Sequence, residues 1–88
     1  MLRFVFDCET NGLLHELDTV HSLVLRDIDS GDVTSCSDHD GYESIESGLY
    51  MMSMADLLVG HNVINFDFRA IKKVYKSFKL KKNCKIND

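Results

Sequence analysis

Phe4-Val5-Phe6 runs directly into Asp7-Cys8-Glu9-Thr10-Asn11-Gly12, and this passage constrains the chain more than any other. A β-branched and aromatic run over residues 2–8, bounded by the turn-forming Asn11-Gly12, predicts a buried strand. Alternation along it turns Phe6 and Cys8 toward one face and Asp7 and Glu9 toward the other. The strand therefore begins in a core and ends by presenting two carboxylates on one side. At 88 residues a chain buries only about 60–65% of its unfolded surface on folding. An apolar fraction of 44% then suffices for one modest core within a single domain, with stability leaning on partners or metal.

Composition excludes several classes. Proline is absent, charged residues make up 27% and the five glycines are scattered, which rules out collagen-like, proline-rich and strongly charged disordered chains. No apolar run approaches the ~20 residues of a membrane span, so no membrane partner is expected. Charge intrudes on the N-terminal segment where a signal peptide needs an apolar stretch. Cys8, Cys36 and Cys84 are odd in number and contain no Cys-x-x-Cys pair, which suggests neither a disulfide framework nor a zinc knuckle. A reducing, cytoplasmic setting is the expectation. The net charge of −4 conceals a division. Residues 1–68 hold 13 acids against Arg3 and Arg26, a balance of −11, and residues 69–88 hold eight bases against Asp88, a balance of +7. Such a chain can hold a cation at one place and a polyanion near another, although Lys79, Lys81, Lys82 and Lys85 also serve as a solvated end.

Beyond the first strand, Val20–Ile28 reads as a second, Asp29-Ser30-Gly31-Asp32 as a turn in which Gly31 takes positive φ, and Val33–Cys36 as the returning third. Residues 1–40 thus form a three-stranded antiparallel part. Residues 41–88 form a helix-strand-helix part with a basic tail. Asp40 with Glu43 resembles an N-cap and its reciprocal acid, and Ile45, Leu49, Met52 and Ala55 predict an amphipathic helix over 42–54. Met51, Met52 and Met54 read as core filling. Leu57-Leu58-Val59 is a short buried strand cut by Gly60. Phe68, Ile71, Val74, Tyr75 and Phe78 lie on one side of a helix over 66–78, with Arg69, Lys72, Lys73 and Lys76 on another. Cys84 and Ile86 begin a further strand at most. The order β-β-β-α-β-α predicts a mixed sheet covered by helices, an α/β fold.

Two short segments carry the chemistry. Oxygen donors at Asp7 and Glu9 suit Mg²⁺ or Mn²⁺, and Mg²⁺ commonly takes one or two protein carboxylates together with substrate phosphate oxygens. Gly60-His61-Asn62-Val63-Ile64-Asn65-Phe66-Asp67 then connects a strand to a helix and offers a third carboxylate. Each has a plainer reading: two solvated acids at a strand end, and an Asp67 that merely favours the first turn of a helix capped by Asn65. His61 and Asn62 equally satisfy loop backbone. The conjunction of an acid pair ending one strand with an acid opening a helix after another lets three carboxylates meet.

In this order and at this separation, Phe6-Asp7-Cys8-Glu9-Thr10 and His61-Asn62-Val63-Ile64-Asn65-Phe66-Asp67 resemble the first and second motifs of the DEDD-type 3′-5′ exonucleases. Val59-Gly60-His61-Asn62 and the gap from Asn62 to Asp67 point to the N-terminal proofreading domain of the family A DNA polymerases of tailed phages. The resemblance runs over essentially the whole chain. It implies an RNase H-like fold and hydrolysis of the terminal phosphodiester at the 3′ end of single-stranded DNA, with two divalent ions in the complete domain. By the same resemblance Asp7, Glu9 and Asp67 are catalytic metal ligands, Thr10 positions the terminal nucleotide through its backbone, Leu13 is an apolar wedge against the terminal base, and Asn62 and Phe66 shape the strand groove. His15, His21 and His39 match nothing in the family's site and read as surface or packing residues.

The family's third motif, Tyr-x-x-x-Asp or His-x-x-x-x-Asp, has no counterpart after Asp67. The expectation is therefore the N-terminal half of an exonuclease domain, nearly inactive alone, from a shortened reading frame, a split gene or a trimmed form. The alternative is a non-catalytic exonuclease-like module that binds a replication partner, a completing polymerase chain or a second copy of itself through an exposed sheet edge.

Overall fold

The computed structural model describes all 88 residues, Met1–Asp88. Its organising element is β1 (Arg3–Thr10), which pairs antiparallel with β2 (Val20–Asp27) on one side and parallel with β4 (Leu57–Val59) on the other. β3 (Val33–Ser37) extends the sheet beyond β2 antiparallel, and β5 (Lys85–Asn87) extends it beyond β4 in parallel. The five strands stand in the order β3-β2-β1-β4-β5. Two helices, α1 (Ile45–Ser53) and α2 (Phe68–Val74), accompany the sheet, and a π-helical segment, Val63–Asp67, leads into α2. The result is the expected mixed α/β fold, compatible with an incomplete RNase H-like arrangement.

Side-chain alternation decides which face is covered. Phe4, Phe6 and Cys8 of β1 are buried, as are Val20, Leu23 and Leu25 of β2, and they pack with Ile45, Leu49 and Met52 of α1, Leu58 of β4 and Ile71 of α2. On the opposite face Asp7, Glu9, Val24 and Arg26 are exposed. The helices therefore cover one side of the sheet and leave the other to solvent. Phe68, Val74, Tyr75 and Phe78 pack partly buried against the core, and the Phe6 and Phe68 rings meet with centroids 5.4 Å apart.

Local chemistry accounts for most boundaries. The β2–β3 turn is closed by the Asp27 carboxylate, which accepts from the amides of Asp29 and Ser30, and Gly31 sits at φ 79° as expected. The start of α1 differs from expectation. Its cap is Ser44, whose hydroxyl accepts from the Ser47 amide, rather than Asp40. Glu43 is drawn out of the helix because its amide donates to Ser35 and its carbonyl accepts from Ser37, a parallel bridge alongside Cys36. Met52 fills the core and Met51 packs against it, while Met54 is exposed. The second helix also differs. Its α-helical part ends at Val74, and residues 75–80 keep the apolar contacts that mimic helical periodicity without being helical. Asn65 lies inside the π-helical segment and caps nothing.

The helix-sheet contact is closest at Gly48, where an added Cβ would lie 2.7 Å from Cys36 Sγ and 2.8 Å from Leu23 Cδ2. Both neighbours are fully buried and have no room to yield. Gly48→Ala should therefore destabilise the fold by about 1–3 kcal/mol despite the gain of up to roughly 1 kcal/mol in helix propensity. Urea denaturation followed by circular dichroism measures this directly, and an unchanged or raised midpoint would contradict the packing.

Candidate functional site

Three parallel strands, β1, β4 and β5, end on the same side of the molecule, and the acids of interest lie in the last half of β1 or after the end of β4. Asp7 and Glu9 project exposed from the last turns of the β1 pleat. The β1–β2 ladder slips there, Glu9 facing Ser22 and Thr10 facing Val20. The bulge leaves His21 without an opposite residue and re-aims the strand end. Beyond it the Asn11 side chain gathers the connection, donating to Asp18 and accepting from the amides of Asp18 and Thr19. Thr10 donates its hydroxyl to the Gly12 carbonyl. Leu13 stands 63% exposed at the tip, above a turn in which its own carbonyl accepts from Glu16 and Leu17. The side chain of Lys73 on α2 reaches this loop and donates to the Leu14 carbonyl.

Asp67 arrives by a different route. After β4 the chain turns through Gly60, His61 and Asn62, the last at φ 56°, and enters the π-helical segment. Gly60 is required by close approach, since a Cβ there would lie 2.3 Å from Val63 Cγ1 and 3.0 Å from the Phe6 carbonyl. Asn62 is exposed, Phe66 is half-buried, and Asp67 is only 5% exposed. Asp67 does not cap the helix it precedes. Its side chain lies against β1, beside Cys8, and one carboxylate oxygen, Oδ2, is enclosed without a hydrogen-bond partner.

Electrostatics registers this crowding. Burial pushes the Asp67 carboxyl up from its ordinary value, the Cys8 thiol and amide draw it partly back, and Asp7 pushes it up further. Burial likewise drives the Cys8 thiol far above its ordinary range, reinforced by Asp67, Asp7 and Glu9 in turn. Cys8 thus stands within electrostatic reach of all three acids. The three are nevertheless not drawn into a closed cage, because no three His, Cys, Asp or Glu side chains stand close enough to hold a metal ion. In donor chemistry the residues fit a hard divalent cation, with carboxylate oxygens only and one of them enclosed and unpartnered.

The C-terminal basic residues are elsewhere. Lys81 pairs with Asp56, just before β4, and Lys85 lies opposite Leu57 at the start of β5, so the end of the basic run occupies the opposite side of the sheet from the acids. The larger clefts also avoid the acids. One of about 570 Å³ lies between α1 and β3, and one of about 520 Å³ between β3 and residues 41–43. His15, His21 and His39 are exposed, as expected. Cys8 escaped sequence reasoning as a site residue, although alternation had already turned it to the core face at the right strand end.

The sequence matches no known family profile and no curated protein. Its fold is similar to part of a solved structure, the family B DNA polymerase from the hyperthermophilic archaeon Pyrobaculum calidifontis, with a TM-score of 0.67 at 15% identity. The match covers 97% of this chain and 13% of the polymerase. At that identity the likeness concerns the fold. That polymerase is of family B, whereas the motif resemblance points to family A. The structure has no helix long and apolar enough to cross a membrane.

Burial of Asp67 sets a pH dependence. Its folded pKa lies above the ordinary 3.8, so the fold binds this proton more tightly than the unfolded chain does. The corresponding stability is present below about pH 4 and is lost as pH rises through the folded value. At neutral pH an ionised Asp67 therefore works against folding. Asp67→Asn should stabilise the protein at pH 7 by on the order of 1 kcal/mol, with the gain shrinking toward pH 4. Denaturation midpoints at the two pH values provide the check.

Proposed function

We propose that this chain is the N-terminal part of a 3′-5′ exonuclease domain of a DNA polymerase, of the proofreading type found in tailed-phage family A enzymes, acting on the 3′ end of single-stranded DNA. One observation carries the reading. Asp67 is nearly sixty positions from the β1 acids in sequence, yet it is folded against β1 with an unpartnered carboxylate oxygen and within electrostatic reach of Asp7. The motif order and the likeness of fold to part of a DNA polymerase support it.

On this reading Asp7, Glu9 and Asp67 hold Mg²⁺ or Mn²⁺. When bound, such ions supply an activated water and stabilise a leaving oxygen. Leu13, exposed on its turn, meets the terminal base by apolar contact, and the backbone at Thr10, fixed by the Gly12 hydrogen bond, orients the terminal nucleotide. Asn62 and Phe66 line the strand path beside Asp67. The open carboxylate arrangement favours a second reading, a non-catalytic exonuclease-like module whose β3 or β5 edge receives a replication partner, a completing polymerase chain or a second copy.

Titration with Mn²⁺ separates the two. On the nuclease reading, resonances of Asp7, Glu9 and Asp67 are selectively broadened, Asp7→Ala abolishes the broadening, and a 5′-labelled single strand is shortened only in traces by the 88-residue chain. Absence of any site-specific broadening at millimolar Mn²⁺, together with a stable dimer in sedimentation, would replace the nuclease reading by the second. Robust shortening that survives Asp7→Ala would remove the site assignment.

A further inference from the structure

Asp88 belongs to no motif, yet its carboxylate contacts the segment that leads to Asp67. Oδ1 accepts from the Val63 amide at 3.0 Å and Oδ2 from the Ile64 amide at 3.2 Å. These are consecutive main-chain donors at the start of the π-helical segment, where intrahelical partners are lacking. Immediately before it, the Asn87 carbonyl at the end of β5 accepts from the Gly60 amide at 3.1 Å. The end of β5 is thus stitched to both sides of the turn formed by His61 and Asn62.

Within the segment, the Asn62 carbonyl accepts from the Phe66 amide at 3.0 Å. Asn62 is held in a left-handed conformation, which costs energy for any residue but glycine, and its side chain makes no cap hydrogen bond. Val63 is fully buried and is seated tightly over Gly60. Val63 and Ile64 stand one turn before Asp67 in the same π-helical segment, and Asp67 carries an enclosed and unpartnered oxygen. A charged acceptor on paired amides is a strong contact, and it is supplied from 24 and 25 positions away.

We propose that Asp88 is a positioning residue: its carboxylate clamps the amides of Val63 and Ile64 and thereby fixes where the π-helical segment presents Asp67 to β1. The importance of that placement rests on the nuclease reading, but the clamp itself does not. Its consequence is that β5, which contributes no residue to the acid group, determines the group's geometry.

Amide hydrogen exchange and the Asp67 carboxyl carbon shift, recorded without metal, test the clamp independently of the nuclease reading. Asp88→Ala should accelerate exchange at Val63 and Ile64 by at least about tenfold, move the Asp67 carbon resonance, and leave the amides of Leu23 and Leu25 in β2 protected. Asp88→Asn retains one acceptor oxygen and should give a smaller change of the same kind; it decides the matter if the alanine variant does not fold. Unchanged exchange at Val63 and Ile64, or an unmoved Asp67 resonance with faster exchange, would overturn the proposal. Mn²⁺ broadening of Asp7, Glu9 and Asp67 in the unsubstituted chain is read separately. Its absence would count against the nuclease reading and not against the clamp.

Discussion

The constraint on which the rest depends is the double life of β1. As the strand flanked by β2 and β4, it must bury Phe4, Phe6 and Cys8 to hold the sheet to its helices. In the same eight residues it leaves the core by exposing Asp7 and Glu9. A strand has period two, so these demands do not compete. They share a backbone, however, and a shift of register by one residue would put carboxylates in the core and phenylalanines in water. The parallel pairing to β4 adds a second consequence. It sends the chain leaving β4 toward the same sheet end as the acids, and Gly60 lets the following turn approach the Phe6 carbonyl closely enough to deliver Asp67 there.

Energetically this end of the sheet is held in tension. An enclosed carboxylate oxygen without a partner costs on the order of 1–3 kcal/mol, and a chain of this size has little stability to spare. Neither Cys8 nor the surrounding apolar contacts compensate Asp67 in full, as its raised pKa records. The core contributes stability elsewhere, with Leu23, Met52, Leu58, Val63 and Ile71 fully excluded from solvent. Local cost at one acid, supported by good packing around it, is the pattern expected where a group is kept for something other than folding.

Much of this was legible in the sequence because it is local. The β1 alternation, the Gly31 turn and the apolar spacing of α1 each state their structure within a few residues. What escaped was decided by partners distant in sequence. Glu43 looked like the second half of a capping box, but pairing with β3 removed it from the helix and left Ser44 as the cap. Tyr75 and Phe78 continued a helical periodicity, yet they reach the core from irregular backbone. Leu17, in an irregular connection, is 1% exposed, and no period announces it. The motifs led to the expectation that Asp67 meets Asp7 and Glu9; the structure lays Asp67 against β1 beside Cys8 without closing the three acids into one group, and the contact with Cys8 and the reach of Asp88 depend on tertiary geometry.

The distribution of charge completes the argument. Because β1, β4 and β5 run in parallel, Asp7 and Glu9 in the carboxyl-terminal half of β1, Asp67 after β4 and Asp88 after β5 all lie toward the carboxyl ends of these strands, the side on which open sheets of this kind place their ligands. None of these four takes part in an ion pair. Asp88 is engaged by two amides, and the other three are left with excess negative charge. The end of the basic run lies at the amino ends of β4 and β5, where Lys81 already compensates Asp56. A polyanion approaching the acid end meets repulsion from these carboxylates, which Lys73, reaching the Leu14 carbonyl on that side, offsets in part and which the Lys81 end is too remote to offset. On the proposed reading, divalent cations held by the acids lower the remaining repulsion, so strand binding at this end strengthens when they are present.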